Sequence, residues 1–237
     1  MIQIFDQYRE WKQWEAPEFG ITRPHDADYF TLEIGPYLQG KPMLRILELG
    51  FGNGALLSWL KGQGYMVSGV EIDDELNLRA SALGVAAFSS LAQALEQLGE
   101  GSQDVIVALD VLEHVEPSQL ISLVSDCSRL LKSRGLMMAR FPNADSPYGR
   151  VFQHADITHK NSIGFYMVSQ LAGMCGFKIL YYNGAARPHY RLSLRRRTKY
   201  LAARIVQWIA AMPLRYLHFE DVPIPMEPNV FTVLEKK

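Results

Sequence analysis

Cysteine is nearly absent from this chain: Cys127 and Cys175 are the whole supply in 237 residues. Both sit in helix-like apolar patterns and neither has a neighbour at metal-ligand spacing. A disulfide framework is therefore excluded, and two buried free thiols are expected. Net charge is nearly absent too, at −1 from 24 bases and 25 acids, so the overall balance points to no polyanionic partner. Nowhere does the chain reach the roughly 18 uncharged apolar residues that span a bilayer. The opening stretch MIQIFDQYREWKQWEAPEF lacks an apolar core of signal-peptide length and mixes acids with bases, which argues against secretion. A soluble cytoplasmic protein is expected. Repeats and low-complexity tracts are missing as well. Apolar residues, by contrast, make up 48% of the chain, enough to bury the core of one large α/β domain.

Short β-branched runs alternate with longer helical patterns, the signature of a parallel sheet flanked by helices. Residues 44–49, 66–71, 85–88, 104–109 and 136–141 read as strands, with helices over about 54–61, 74–83, 91–98 and 117–131. A helix over 166–175 leads to a sixth strand at 177–182, and 231–234 reads as the last. Residues 1–40 form an N-terminal helical extension, helical from about 26 to 38, expected to cover one side of the sheet. The domain proper occupies 41–237. Two segments break its rhythm: a long polar connection at 143–163 and a basic amphipathic insertion at about 185–225.

The first strand runs into Glu48-Leu49-Gly50-Phe51-Gly52-Asn53-Gly54. Glycines between a strand and a helix let a ligand approach the backbone closely while the helix N-terminus faces it. The spacing Gly50-x-Gly52-x-x-Ala55 also satisfies the dinucleotide fingerprint, and Glu71 ends the second strand where a ribose-binding acid belongs. Two features favour a different ligand. Glu48 precedes the first glycine by two residues, and the fourth strand ends in Leu109-Asp110-Val111-Leu112-Glu113-His114-Val115. Together these resemble the ordered motifs of the class I S-adenosylmethionine-dependent methyltransferases, over about residues 44–183.

The resemblance implies a Rossmann-like α/β fold: a seven-stranded, mostly parallel sheet with an antiparallel last strand and helices on both faces. It implies S-adenosylmethionine as cofactor. Glu48 would reach the methionine amino group, the turn from Gly50 to Gly54 with Phe51 and Asn53 would line the methionyl and ribose portions, and Asp110 and Val111 would complete the site. Glu71 would take both ribose hydroxyls, a role its two oxygens suit on donor and acceptor count alone. One departure is visible. Where the family commonly has an Asp after the third strand for the adenine amino group, this chain has Ser89, with Ile72 as an apolar wall.

An acceptor should approach from the carboxyl ends of the fourth and fifth strands. His114 lies after the fourth. Phe141-Pro142-Asn143-Ala144-Asp145-Ser146-Pro147-Tyr148-Gly149-Arg150 and the residues to His159 resemble a bacterial subgroup associated with cell-surface polysaccharide and glycolipid biosynthesis. On that reading a sugar or glycolipid hydroxyl is O-methylated, with a small-molecule acceptor such as a quinone precursor, or a non-catalytic cofactor-binding protein, as the alternatives. Asp156 and His159 would pair as carboxylate and imidazole to take a proton, with His114 a third catalytic candidate. Asn143, Asp145, Arg150 and His154 are candidates for holding the acceptor, Arg150 by an anionic group. Asp156 and His159 read equally well as a hydrogen-bonded loop staple, and no metal is expected.

The charge balance conceals an asymmetry. Eight of the 24 bases fall between 185 and 219, where there is no acid, leaving 16 against 25 acids elsewhere. Leu192, Leu194, Tyr200, Leu201, Ile205, Val206, Trp208, Ile209, Met212 and Leu214 are interleaved with them. Such a segment suits a peripheral contact with an anionic membrane through 187–217, at its inner face. It equally suits packing on the domain or on a second copy; nucleic acid is not expected.

Overall fold

The computed structural model describes residues 18–188, 193–217 and 222–237. Two short helices come first, α1 (Pro24–Glu33) and α2 (Gly35–Leu38), followed by β1 (Arg45–Leu49), α3 (Ala55–Gly62), β2 (Met66–Val70), α4 (Asp74–Ala82), β3 (Ala86–Phe88) and α5 (Leu91–Leu98). Then come β4 (Gln103–Leu109), α6 (Pro117–Leu130), β5 (Leu131–Pro142), α7 (Arg150–Ala155), α8 (Phe165–Met174), β6 (Phe177–Gly184), α9 (Leu194–Leu217) and β7 (Asn229–Lys236). The sheet order is β3-β2-β1-β4-β5-β7-β6. Strand β7 runs antiparallel to both neighbours, and the pairs among β1 to β5 are parallel. This is the seven-stranded Rossmann-like architecture expected of the sequence.

Side-chain alternation splits the core in two, because successive residues of a strand point to opposite faces. Leu47, Ile106, Ala108, Met137 and Ala139 pack toward α5, α6 and α8. Ile46, Val105, Val107, Met138 and Phe231 pack toward α1, α2 and α3. Both cysteines are buried free thiols, and burial pushes the Cys127 thiol up to about 12. Among the described residues no helix is long and apolar enough to cross a membrane.

Three local expectations differ. The N-terminal helix is two helices, because Pro36 has no amide hydrogen to carry one helix onward; α1 packs its Tyr29, Phe30 and Ile34 on the sheet. Strand β5 begins at Leu131, directly after α6, instead of at 136. The 143–163 connection holds a six-residue helix, α7, too short for periodicity to reveal. Residues 1–17 of the extension, and Arg191 and Leu192 of the basic insertion, lie outside the described residues.

Candidate active site

The alternation that divides the core also places polar groups. Glu48 shares the face of Ile46, and Arg140 that of Met138, so both end their strands on the side covered by α1. There a cavity of about 680 Å³ opens between α1, the glycine turn, the ends of β4 and β5, and the segments after β6 and before β7. Glu48, Gly50, Phe51, Gly52, Asn53 and Asp110 line it, together with His25, Asp26, Tyr29, Arg140, Arg187, Tyr200 and Glu227.

The turn is built for close approach. Gly50, Gly52 and Gly54 have φ of 66, 48 and 71°, a region side chains other than glycine adopt at a cost. A Cβ on Gly50 would lie 2.6 Å from Val111 Cγ2, so the turn packs tightly against the segment after β4. The chain ahead of α1 straps the turn from outside. The Gly20 amide donates to the Asn53 carbonyl at 2.7 Å, the Thr22 hydroxyl to the Ala55 carbonyl at 2.8 Å, and Phe19 meets Phe51 edge-on.

Two acids flank this turn. Glu48 is 5% exposed. It accepts a hydrogen bond from the Leu57 amide in the first turn of α3, one of the donors a helix N-terminus leaves unpaired. Its Oε2 is buried with no hydrogen-bond partner in the protein. Burial, aided by the charge of Glu71, holds the carboxyl well above its ordinary range. Glu71 is oriented by backbone amides, Gly52 donating to Oε2 at 3.0 Å and Ile72 to Oε1 at 2.8 Å, with the Asp73 amide as a third donor. A carboxylate has about four lone-pair sites, so capacity remains for an incoming hydroxyl. Burial raises this carboxyl too, against the lowering effect of those amides.

Past the turn the cavity changes character. Asp110 takes a left-handed backbone conformation at the end of β4, φ 57°, and thereby turns its carboxylate onto Arg140. The guanidinium grips both oxygens, Nε to Oδ1 at 2.8 Å and Nη2 to Oδ2. It also lies over the Tyr29 ring, 4.7 Å from the centroid. The carboxylate and the ring raise the Arg140 pKa against the cost of burial; burial raises the Tyr29 phenol, which stays a neutral donor. At the mouth, His25 Nδ1 lies 3.3 Å from Asp26 Oδ1.

The structure separates the residues singled out from sequence. Glu48, Gly50, Phe51, Gly52, Asn53 and Asp110 meet at the cavity, with Glu71 behind Gly52. Gly54 is the left-handed N-cap of α3, and Val111 packs on Gly50. Ile72 is exposed beside Glu71. The Ser89 hydroxyl donates to Gln93 Oε1 at 3.0 Å.

The acceptor candidates from the 143–163 connection lie elsewhere. Asn143 is fully buried, and its amide donates to the carbonyls of Pro225 at 2.7 Å and Glu227 at 3.0 Å. Asp145 accepts from the Phe165 amide at 2.7 Å and from the Tyr182 hydroxyl at 3.2 Å, which caps α8. Arg150 and His154 sit exposed on α7. Asp156 and His159 come within 4.0 Å of each other. Asp156 also accepts from the Thr158 amide and hydroxyl at 3.0 and 2.6 Å, and Thr158 bonds His114 Nδ1 at 2.9 Å. His114 and His159 stack edge-on, and with Glu113 they bring three donor atoms within 4.8 Å. None of these side chains lines the cavity.

Tyr29, His25, Arg140, Arg187, Tyr200 and Glu227 were not singled out from sequence for this site. Arg140 did leave a signal: it is the lone charge in the run Leu136-Met137-Met138-Ala139-Arg140-Phe141.

Comparison with known proteins agrees with the cofactor half of the site. A family model described as a methyltransferase domain matches residues 19–176. A ubiquinone biosynthesis O-methyltransferase of Burkholderia vietnamiensis is 35% identical over 138 residues, covering 52% of this chain and 55% of that protein. The chain thus spans about half the length of the curated relatives it matches. Among solved structures, a SAM-dependent methyltransferase from Archaeoglobus fulgidus superposes with a TM-score of 0.65 at 18% identity, over 88% of this chain and 92% of that one. A cyclopropane synthase from Mycobacterium tuberculosis reaches 0.58 at 16% identity, over 89% and 84%. Different reactions share this fold, so the reaction must be argued from the site.

Proposed function

This chain belongs to the methyltransferase-domain family, and on that premise we propose that it is an S-adenosylmethionine-dependent O-methyltransferase acting on a small hydroxylated molecule of the quinone-precursor kind. The observation that carries the cofactor is Glu48, a residue that lines the cavity at the glycine turn and holds a buried carboxyl oxygen without a partner. Leaving such an atom unpaired costs about 1–3 kcal/mol, and an ammonium group would pair it. The remaining acceptor capacity of Glu71, behind Gly52, suits a ribose hydroxyl. The cofactor, when bound, supplies an electrophilic sulfonium methyl.

The remaining work falls to the far half of the cavity. Transfer in line needs the acceptor oxygen held against the methyl, which is chiefly a matter of positioning. The Asp110–Arg140 pair and the Tyr29 ring form a rigid wall with one charged and one flat aromatic surface, suited to an aromatic acceptor carrying polar substituents. His25 contributes the one imidazole among the described lining residues, the side-chain type best suited to taking a hydroxyl proton near neutral pH, and Asp26 is placed to orient it.

A volume of about 680 Å³ lies within the roughly 300–1,000 Å³ of small-ligand sites, which supports a small acceptor over a glycan chain. The O-methyltransferase name of the relatives points the same way. The glycan reading depends on the 143–163 connection, whose Asn143, Asp145 and Asp156 are bonded within the fold and whose Arg150 and His154 sit exposed on α7. The test is methyl transfer from labelled S-adenosylmethionine to a panel of catechols and monosaccharides. Labelled catechol ethers are the expected product; labelling of the sugars alone would overturn the acceptor class.

A further inference from the structure

Helix α9 is held to the domain by one narrow face. Tyr200 reaches the cavity, Arg204 pairs with Glu227, and Ala211 is buried against Ile224 and Met226. These residues recur at i, i+4 and i+11, a single stripe of an α-helix. A second stripe is apolar and open. Leu194, Leu201, Ile205 and Trp208, at i, i+7, i+11 and i+14, are 78, 49, 60 and 53% exposed, and Ile209 beside them 55%. By the same helical spacing Arg197, four residues before Leu201, and Arg195, fourteen before Ile209, flank that stripe, both exposed, and the helix carries no acid from end to end. An apolar patch of this extent on a water-facing helix has a partner to meet.

We propose that this face docks on an anionic lipid bilayer, the apolar stripe entering the headgroup–acyl boundary and the basic border meeting lipid phosphates. The charge pattern selects this occupant. Two copies of α9 packed stripe to stripe would bring together two helices that have bases and no carboxylate to pair them, whereas an anionic surface neutralises Arg195 and Arg197. Nucleic acid would meet the bases but leave Leu201, Ile205 and Trp208 in water. A tryptophan at the edge of an apolar stripe is the side chain that settles at headgroup level. Because the face that carries Tyr200 to the cavity adjoins the stripe, docking sets the mouth of the cavity beside the membrane, where an apolar ring acceptor partitions. That last consequence rests on the acceptor class proposed above; the docking does not.

The test uses the full chain with sedimented vesicles of mixed phosphatidylcholine and phosphatidylglycerol, beside vesicles of phosphatidylcholine alone. Binding is expected to the mixed vesicles at low salt and to fall as salt rises. Brominated lipid should quench emission in the parent and not in Trp208→Phe. The double variant Leu201→Ser/Ile205→Ser should lose binding. Arg195→Ser/Arg197→Ser should lose roughly twenty-five-fold, at about fivefold for each base near an anionic surface. All four side chains are exposed, so unchanged melting confirms that these variants fold.

Absence of binding to the mixed vesicles at low salt overturns the proposal, as does binding that survives Leu201→Ser/Ile205→Ser. A lipid-free dimer abolished by that variant, without vesicle binding, assigns the stripe to a second copy. Retention by nucleic acid in place of vesicles assigns the basic border there. S-adenosylhomocysteine binding, measured on the same preparations, reports separately on the cofactor site.

Discussion

Replacing Glu48 with Gln should weaken cofactor binding and leave the unliganded protein no less stable, an unusual combination for a buried residue. Glutamine keeps the shape and still accepts from the Leu57 amide, but it presents no charge to a ligand ammonium. A hydrogen bond to a charged group contributes about 1.5–3 kcal/mol, so the dissociation constant should rise roughly tenfold to a hundredfold at 1.4 kcal/mol per decade. Stability moves the other way. A carboxyl whose folded pKa is raised above its ordinary 4.5 favours folding below that value, and this advantage is lost as pH rises through the raised pKa. The unliganded parent should therefore melt progressively lower over that window, and Glu48→Gln should lack that part of the slope. Cofactor affinity should climb across the same window as the carboxylate forms. Calorimetry with S-adenosylhomocysteine and thermal melts from pH 5 to 9 read both effects. Unchanged affinity in Glu48→Gln, or a lower melting point at pH 8, would refute the reasoning.

Three further outcomes follow from the same geometry. Gly69→Ala would place a Cβ 2.5 Å from Phe51 Cδ1, and overpacking of this kind costs about 1–3 kcal/mol, to be read as a lower urea midpoint. Arg140→Lys keeps the charge but not the two-pronged grip on Asp110; kcat/KM for the acceptor should fall while the S-adenosylhomocysteine dissociation constant stays within about threefold, less than half a decade of binding energy. Asp156→Ala and His159→Ala remove a loop staple away from the cavity. Each should lower stability by about 1–2 kcal/mol through the lost hydrogen bonds with cofactor affinity intact, and loss of transfer in protein that still melts normally would return these residues to the chemistry.

The sheet was legible because its signals are local and repeated. Apolar runs of strand length, each followed by a helical period, place β1 to β4 within a residue or two of 45–49, 66–70, 86–88 and 103–109. That the residues assigned to the cofactor lie together was legible for the same reason: Glu48, the three glycines, Glu71 and Asp110 all lie at or just past strand ends, where chain order fixes position. The acceptor half was not. It is assembled from α1, Arg140 at the end of β5, and the segments around 187 and 227, which are far apart in sequence and meet only through the fold. Polar residues of the 143–163 connection attracted attention by composition, yet Asn143 and Asp145 are occupied in tying that connection to the segment before β7 and to α8. A residue type suited to chemistry is often equally suited to holding a loop, and burial with satisfied hydrogen bonds distinguishes the two.

The central claim is that the turn from Glu48 to Gly54 binds S-adenosylmethionine, although its glycine spacing also admits a dinucleotide. Titration calorimetry of the full chain with S-adenosylhomocysteine and with NAD separates these directly. One-to-one binding of S-adenosylhomocysteine, weakened in Glu48→Gln, is expected, with no heat from NAD. Binding of NAD in place of S-adenosylhomocysteine would contradict this.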